Sequence, residues 1–214
     1  MPKAMQIAGA IIAGGQSSRM RADGIARDKF LQLLGSKSIL ERVAAQLSPQ
    51  VDHLFINTNT DKSDLPDLSL PIIADVQSHY GGPLIGLKTA FEYAQNYSFV
   101  LSVTGDCPFI PSDLMARLYE RQQKNDARIV MASSKGRVHP IFALWKPDLL
   151  QPLNAWLQHT EKASVLAFAR TIGFETVDFP LQALPKTTET FDPFFNINTA
   201  EDLHNARKLY EALQ

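Results

Sequence analysis

An apolar run that ends in two consecutive glycines constrains this chain more than any other feature. Residues 7–13 are long enough for a buried strand and far too short to span a membrane. Gly14-Gly15 removes every side chain where that strand ends, so backbone amides there can close on a ligand without obstruction. Ser17 and Ser18 follow, then two cations, Arg19 and Lys29. Backbone donors and fixed positive charge on a loop leaving a strand suit a polyphosphate. The plainer alternative is a strand and turn with a solvated basic loop. No Gly-Lys-Ser/Thr follows the glycines, so the Walker pattern is excluded, and Gly-x-Gly-x-x-Gly is absent too.

Strand and helix patterns alternate beyond this loop. Ile39, Leu40, Val43, Ala44 and Leu47 form a helical stripe over 38–47, and a strand at 54–56 ends in Asn57. A third strand at 71–74 closes on Asp75, and a helix is expected over 84–95. A fourth strand, 98–104, stops at Gly105-Asp106-Cys107-Pro108, before a helix near 111–123 and a strand at 128–132. Such alternation with short connections predicts an α/β fold, a three-layer α/β/α arrangement around a mainly parallel, Rossmann-like sheet. After Ser133 the expectations are a strand-like run at 141–144 and helices at 147–158 and 161–170, the second ended by Gly173. An edge strand over 174–179 and an irregular stretch over 181–193 follow. Thr199-x-x-Asp202 is a capping box opening a last helix, with Leu203, Ala206, Tyr210 and Leu213 as its buried stripe. No compositional break divides residues 1–214, so a single domain is expected.

A net charge of −1 provides no basic field of the kind nucleic-acid binders use, so any anion site must be local. The one cysteine, Cys107, excludes an internal disulfide and a Cys-based zinc site, and beside Pro108 it suits inert packing better than nucleophilic work. No signal-peptide core and no run near the roughly 18 apolar residues of a membrane span is present, so a cytoplasmic location without membrane partners is expected.

Ligands of open parallel sheets bind outside the carboxyl ends of the strands. Here four successive strands end in Gly14-Gly15, Asn57, Asp75 and Asp106. Asp106 is placed to hold Mg²⁺, with substrate phosphates completing the octahedron, or else to cap the following turn. Asp75 suits the same metal or the donors of a base or sugar, and Asn57 suits a nucleobase edge, a ribose or a turn. His139-Pro140 and Asn196-Ile197-Asn198-Thr199 lie in the later half, where a second substrate should bind. Each has a structural alternative, a satisfied histidine and a helix start. Gly81-Gly82 either bares backbone to a ligand or makes a tight turn. No Ser-His-Asp or Cys-His set is evident.

Together, Ile12-Ala13-Gly14-Gly15, Arg19-Met20, Asp28-Lys29, Asn57, Asp75, Gly82-Pro83-Leu84-Ile85-Gly86, Gly105-Asp106-Cys107-Pro108, His139-Pro140 and Asn196-Ile197-Asn198-Thr199 resemble the molybdenum cofactor guanylyltransferase (MobA) family of the nucleotidyltransferase superfamily. The likeness keeps motif order from residue 7 to about 210. It implies transfer of GMP from GTP to the terminal phosphate of molybdenum-molybdopterin, with Mg²⁺ as cofactor and pyrophosphate released. It places GTP at Ile12, Ala13, Gly14, Gly15, Lys29, Asn57, Asp75 and Asp106, with Asp106 also on the metal. Catalytic charge falls to Arg19, Lys29 and Asp106, and the acceptor to Gly82, His139, Asn196 and Asn198. Other molybdenum cofactor assembly proteins and apo-molybdoenzymes are the implied partners. One departure stands out: Arg21 replaces the family's glycine after Met20, and the loop to Asp28-Lys29 is longer. The alternatives are another nucleotidyltransferase, acting on a sugar phosphate or related cofactor, and a catalytically silent nucleotide-binding regulator.

Overall fold

The computed structural model of the protein describes residues 5–14, 28–161 and 163–214. Its first strand, β1 (Ile7–Ile12), is buried along its whole length and lies in the middle of a seven-stranded sheet. A hairpin of two-residue strands, β2 (Leu33–Leu34) and β3 (Lys37–Ser38), leads into helix α1 (Ile39–Leu47). Ser38 and Glu41 close a reciprocal capping box there, which supplies two of the donors that a helix start leaves unpaired. Strands β4 (His53–Asn57) and β5 (Ile72–Ile73) then extend the sheet on one side of β1, both parallel to it. Helix α2 (Pro83–Tyr93) carries the chain back, and β6 (Phe99–Thr104) pairs with β1 on the other side, again in parallel. The winding therefore reverses at β1, and the carboxyl ends of β4, β1 and β6 flank a switch-point crevice.

Helix α3 (Leu114–Asn125) precedes β7 (Ile129–Ser134), β8 (Arg137–Trp145), α4 (Leu150–Leu157) and α5 (Val165–Ile172). Edge strand β9 (Glu175–Asp178), a hairpin of β10 (Gln182–Ala183) and β11 (Thr190–Phe191), and α6 (Ala200–Ala212) complete the order. The sheet runs β5-β4-β1-β6-β8-β7-β9, and β8 alone opposes its neighbours. The period-two alternation of β1 explains the layers. Ile7 and Ile11 enter one core with Val43 of α1, Leu118 of α3 and Leu203 of α6. Ala8, Ala10 and Ile12 enter the other with Leu87 of α2, Leu153 of α4 and Phe168 of α5. Two apolar faces, each covered by three of the described helices, make the three-layer α/β/α fold that the alternation predicts.

The differences from expectation are local. Strand β8 begins at Arg137, earlier than the expected 141, because Lys135 (φ 51°) and Gly136 (φ 72°) form a tight hairpin turn after β7. Pro140 has no N–H to give to the ladder with β7, and the β7–β8 register slips by a bulge at that point. The stretch 181–193 is not wholly irregular, since it holds β10 and β11. In α6, Leu203 and Ala206 are buried, while Tyr210 and Leu213 are only partly so. No helix among the described residues is long and apolar enough to cross a membrane.

Candidate active site

The strand ends are locked together by close backbone approach. The Ala13 N–H donates to Asn57 O (2.8 Å) and the Gly105 N–H to Ile12 O (3.1 Å). A Cβ on Gly105 would lie 2.8 Å from Ala13 Cβ and 3.2 Å from Ala13 Cα, so only glycine lets β6 leave the sheet beside β1. Asn57, buried at the end of β4, donates through Nδ2 to Ile73 O (3.1 Å) and to Asp75 Oδ1 (2.9 Å). Asn59 Nδ2 donates to the other oxygen of Asp75 (2.8 Å), and the Asp75 N–H returns a bond to Asn59 Oδ1 (2.9 Å). The Asp75 carboxylate is thus pinned by two amides at the mouth of the crevice. A Cβ on Gly86 would fall 2.4 Å from Asn57 Oδ1, so the first turns of α2 depend on that glycine to seat beside β4. Gly82 opens α2 at φ +86°, ahead of Pro83 in the first turn. These groups border an open cavity of about 750 Å³ lined by Ala13, Gly14, Asp28, Asn59, Asp75 and Gly82, among others.

Beyond β6 the charged groups converge. Lys29 Nζ forms an ion pair with Asp106 and donates to Asn198 Oδ1 (3.0 Å), a contact between residues 169 positions apart. The Asn196–Asn198 segment reaches this point because the Ile197 N–H donates to Asp106 O (3.0 Å) and Thr104 Oγ1 donates to Asn196 Oδ1 (3.4 Å). The capping box of α6 fixes it from the other end: the Asn198 and Thr199 N–H groups both donate to Asp202 Oδ2, at 2.9 and 3.0 Å, and Thr199 Oγ1 accepts from the Asp202 N–H. Asp106 is 7% exposed, and its Oδ1 is buried with no hydrogen-bond partner among the described residues. Such an orphan carboxylate oxygen is of the chemistry that a divalent cation takes. No group of three or more acidic, histidine or cysteine side chains gathers among the described residues, so phosphates would have to complete the shell. Cys107 points away from this chemistry: its thiol is buried, donates to Pro193 O, and is pushed well above its ordinary pKa by burial and then by the Asp106 charge.

His139 stands further along the same edge. Its Nε2 lies 2.7 Å from Ser134 Oγ, which donates to the Asp192 carboxylate at 2.9 Å from each oxygen. Its ring lies on Phe194 at 4.6 Å between centroids. Burial lowers its pKa from the ordinary 6.5, with Asp192 opposing and Arg137 assisting the shift. Histidine, serine and aspartate do meet here, contrary to the sequence reading. The hydroxyl sits buried between acid and imidazole, however, so it is no exposed nucleophile.

A family model described as the MobA-like NTP transferase domain matches residues 9–173. The chain belongs to the MobA-like NTP transferase family. A protein of Brucella ovis named molybdenum cofactor guanylyltransferase is 50% identical over 209 residues, covering 98% of this chain and 95% of its own length. A Brucella melitensis protein of the same name is also 50% identical over 209 residues. Among solved structures, molybdopterin-guanine dinucleotide biosynthesis protein A from Archaeoglobus fulgidus superimposes with a TM-score of 0.68 at 23% identity, covering 95% of this chain and 98% of that one. At that identity the likeness shows the fold.

For a MobA-like transferase the structure gathers most residues singled out from sequence into one edge. Ile12, Ala13, Gly14, Asn57, Asp75 and Gly82 line the crevice on one side, while Lys29, Asp106, Asn196 and Asn198 meet on the other. Gly15, Arg19 and the loop from Arg21 to Arg27 lie outside the described residues. Asn198, expected beside the acceptor, holds Lys29, which was expected on the nucleotide. Sequence reasoning missed Asn59, Ser134 and Asp192. An Asn-x-Asn at a strand end was a usable signal for the first. Ser134 and Asp192 are 58 residues apart and carry none.

Proposed function

We propose that this protein is a molybdenum cofactor guanylyltransferase, moving GMP from GTP to the terminal phosphate of molybdenum-molybdopterin and releasing pyrophosphate. The Lys29–Asp106–Asn198 cluster at the switch point carries this reading, in a chain half identical to proteins bearing that name. A phosphate monoester is already largely ionised near neutral pH, its second pKa being about 6, so its oxygen needs no general base. That oxygen forms a bond to the α-phosphorus as the bond to the bridging oxygen breaks, and the electron pair leaves with pyrophosphate. Catalysis is then positioning and charge neutralisation. Lys29 supplies one fixed charge against the phosphates, with Arg19 as a second. Asp75, pinned by Asn57 and Asn59, presents acceptors to the nucleoside, and Gly14 leaves room for it.

Mg²⁺ belongs to the same proposal: held by Asp106, it would bind phosphate oxygens and spread the charge that develops on them. Gly82, His139, Asn196 and Asn198 serve the acceptor. We place the enzyme in the cytoplasm as one domain, working with molybdenum cofactor assembly proteins and apo-molybdoenzymes. Thermal shift tests the nucleotide assignment, because a ligand that binds only the folded state stabilises it, by about 2.7 kcal/mol at a hundred times Kd. With Mg²⁺ present, GTP should raise Tm well above ATP or CTP, and EDTA should cut the shift. Equal shifts with all three would end the guanine assignment, and indifference to EDTA would end the metal assignment.

A further inference from the structure

The contacts of residues 192–198 tie His139 to the lysine cluster. Asp192 accepts from Ser134, the Phe194 ring packs tilted against His139, Asn196 accepts from Thr104, the Ile197 N–H donates to Asp106 O, and Asn198 holds Lys29. Asn198 is four positions beyond Phe194, and an extended chain covers at most about 3.3–3.6 Å per residue, so their Cα atoms lie within roughly 14 Å. The β6–β8 ladder ends at Ser102↔Ala143, and the β7–β8 register slips between Ala143 and His139. His139 thus stands on a bulged strand end, a place where bulges commonly re-aim a side chain.

Proton counting then fixes the ring. A serine hydroxyl has one hydrogen, and a carboxylate only accepts. Ser134 Oγ is within 2.9 Å of both Asp192 oxygens and is fully buried, so its hydrogen goes to Asp192. The 2.7 Å contact with His139 is then a donation from Nε2–H into a hydroxyl lone pair. Among the described residues Nδ1 has no hydrogen-bond partner, and it is not one of the buried unpaired atoms, so it is open to an incoming group.

We infer that Ser134 and Asp192 are positioning residues that hold His139 as the Nε2–H tautomer, so that Nδ1 accepts a hydrogen bond from an N–H or O–H of the second substrate. A pterin ring, with its amino and ring N–H groups, is a substrate of that chemistry. The inference rests on the reading above that the acceptor lies on this side of the lysine cluster. Burial favours the neutral ring, which leaves Nδ1 a bare acceptor instead of a second donor.

The test uses the full chain as wild type, Ser134→Ala, Ser134→Thr and Asp192→Asn. Nitrogen-15 NMR reads the protonation of both His139 nitrogens, and steady-state kinetics reads KM for molybdopterin beside the Kd for GTP. The wild type should show hydrogen on Nε2 and a bare Nδ1. Ser134→Ala should mix the tautomers and raise the acceptor KM about tenfold, as one lost hydrogen bond of about 1.4 kcal/mol would. GTP affinity should hold, Ser134→Thr should restore both readouts, and Asp192→Asn should follow Ser134→Ala. A wild-type ring protonated on Nδ1, or a lost tautomer with an unchanged acceptor KM, overturns the inference. A wild type that cannot use molybdopterin at all defeats the proposed function and the Nδ1 contact with that substrate, while the spectrum still decides the tautomer.

Discussion

Replacing Gly86 with alanine should disable the crevice from behind, through a residue that carries no chemistry. The added methyl would stand 2.4 Å from Asn57 Oδ1 and 2.8 Å from Ile12 Cγ2. Ile12 ends the central strand and cannot retreat. Asn57 can turn away only by giving up its bonds to Ile73 O and Asp75 Oδ1. Overpacking a filled site costs about 1–3 kcal/mol, and a lost bond to a carboxylate adds roughly 1.5 kcal/mol, for a total near 2.5–4.5 kcal/mol. For a chain of this length that corresponds to a fall in Tm of about 5–15 °C. The same displacement leaves the Asp75 carboxylate held by Asn59 alone, so GTP should bind up to about tenfold more weakly. Melting curves and GTP titrations of Gly86→Ala and Gly81→Ala measure both effects. Gly81→Ala is the stability control, since nothing lies within 4 Å of its added methyl. A Gly86→Ala protein that melts and binds GTP like the wild type would refute the packing argument and the role of Asn57 as the pin of Asp75.

Further outcomes follow from other contacts. Lys29→Ala should weaken GTP binding by about 1.5–3 kcal/mol, the range for a bond to a charged group, while Arg21→Ala and Arg27→Ala should change it by about 0–1 kcal/mol; an arginine variant that fails where Lys29→Ala does not would reassign the phosphate ligand. Gly105→Ala should destabilise by about 1–3 kcal/mol, because the clash is with Ala13 itself and includes its backbone; a wild-type melting curve would contradict that. His139 resists protonation in the fold, so below pH 6.5 the unfolded chain binds the extra proton, and the wild type should lose stability as pH falls toward the folded pKa, with the contribution complete above 6.5. His139→Gln should flatten that part of the pH–stability curve, and an unchanged slope would show that another group sets it.

Much of this fold was legible because local and tertiary signals agree. The run 7–13 has strand length, ends in glycine, and alternates between two helical layers, so nothing competed with its assignment. Ser38 and Thr199 cap the helices they precede, as their spacing to Glu41 and Asp202 indicates. The direction of β8 was less visible, since Pro140 discourages a strand and Lys135 is an unusual residue for a turn of positive φ. A bulge resolves the first difficulty and Gly136 eases the second. The site divides the same way. Strand-end residues such as Asn57, Asp75 and Asp106 could be placed by counting strands, because the topology delivers every parallel strand's carboxyl end to one edge. The contact of Lys29 with Asn198 spans 169 positions and depends on how α6 packs, which no local pattern encodes.

The most direct measurement of the central claim is pyrophosphate release by the wild-type protein given each nucleoside triphosphate in turn, with Mg²⁺ and with or without molybdopterin. A guanylyltransferase releases pyrophosphate with GTP only when molybdopterin is present, and forms the molybdopterin guanine dinucleotide in equal amount. Release with CTP in place of GTP, or none with any triphosphate when molybdopterin is supplied, would contradict it.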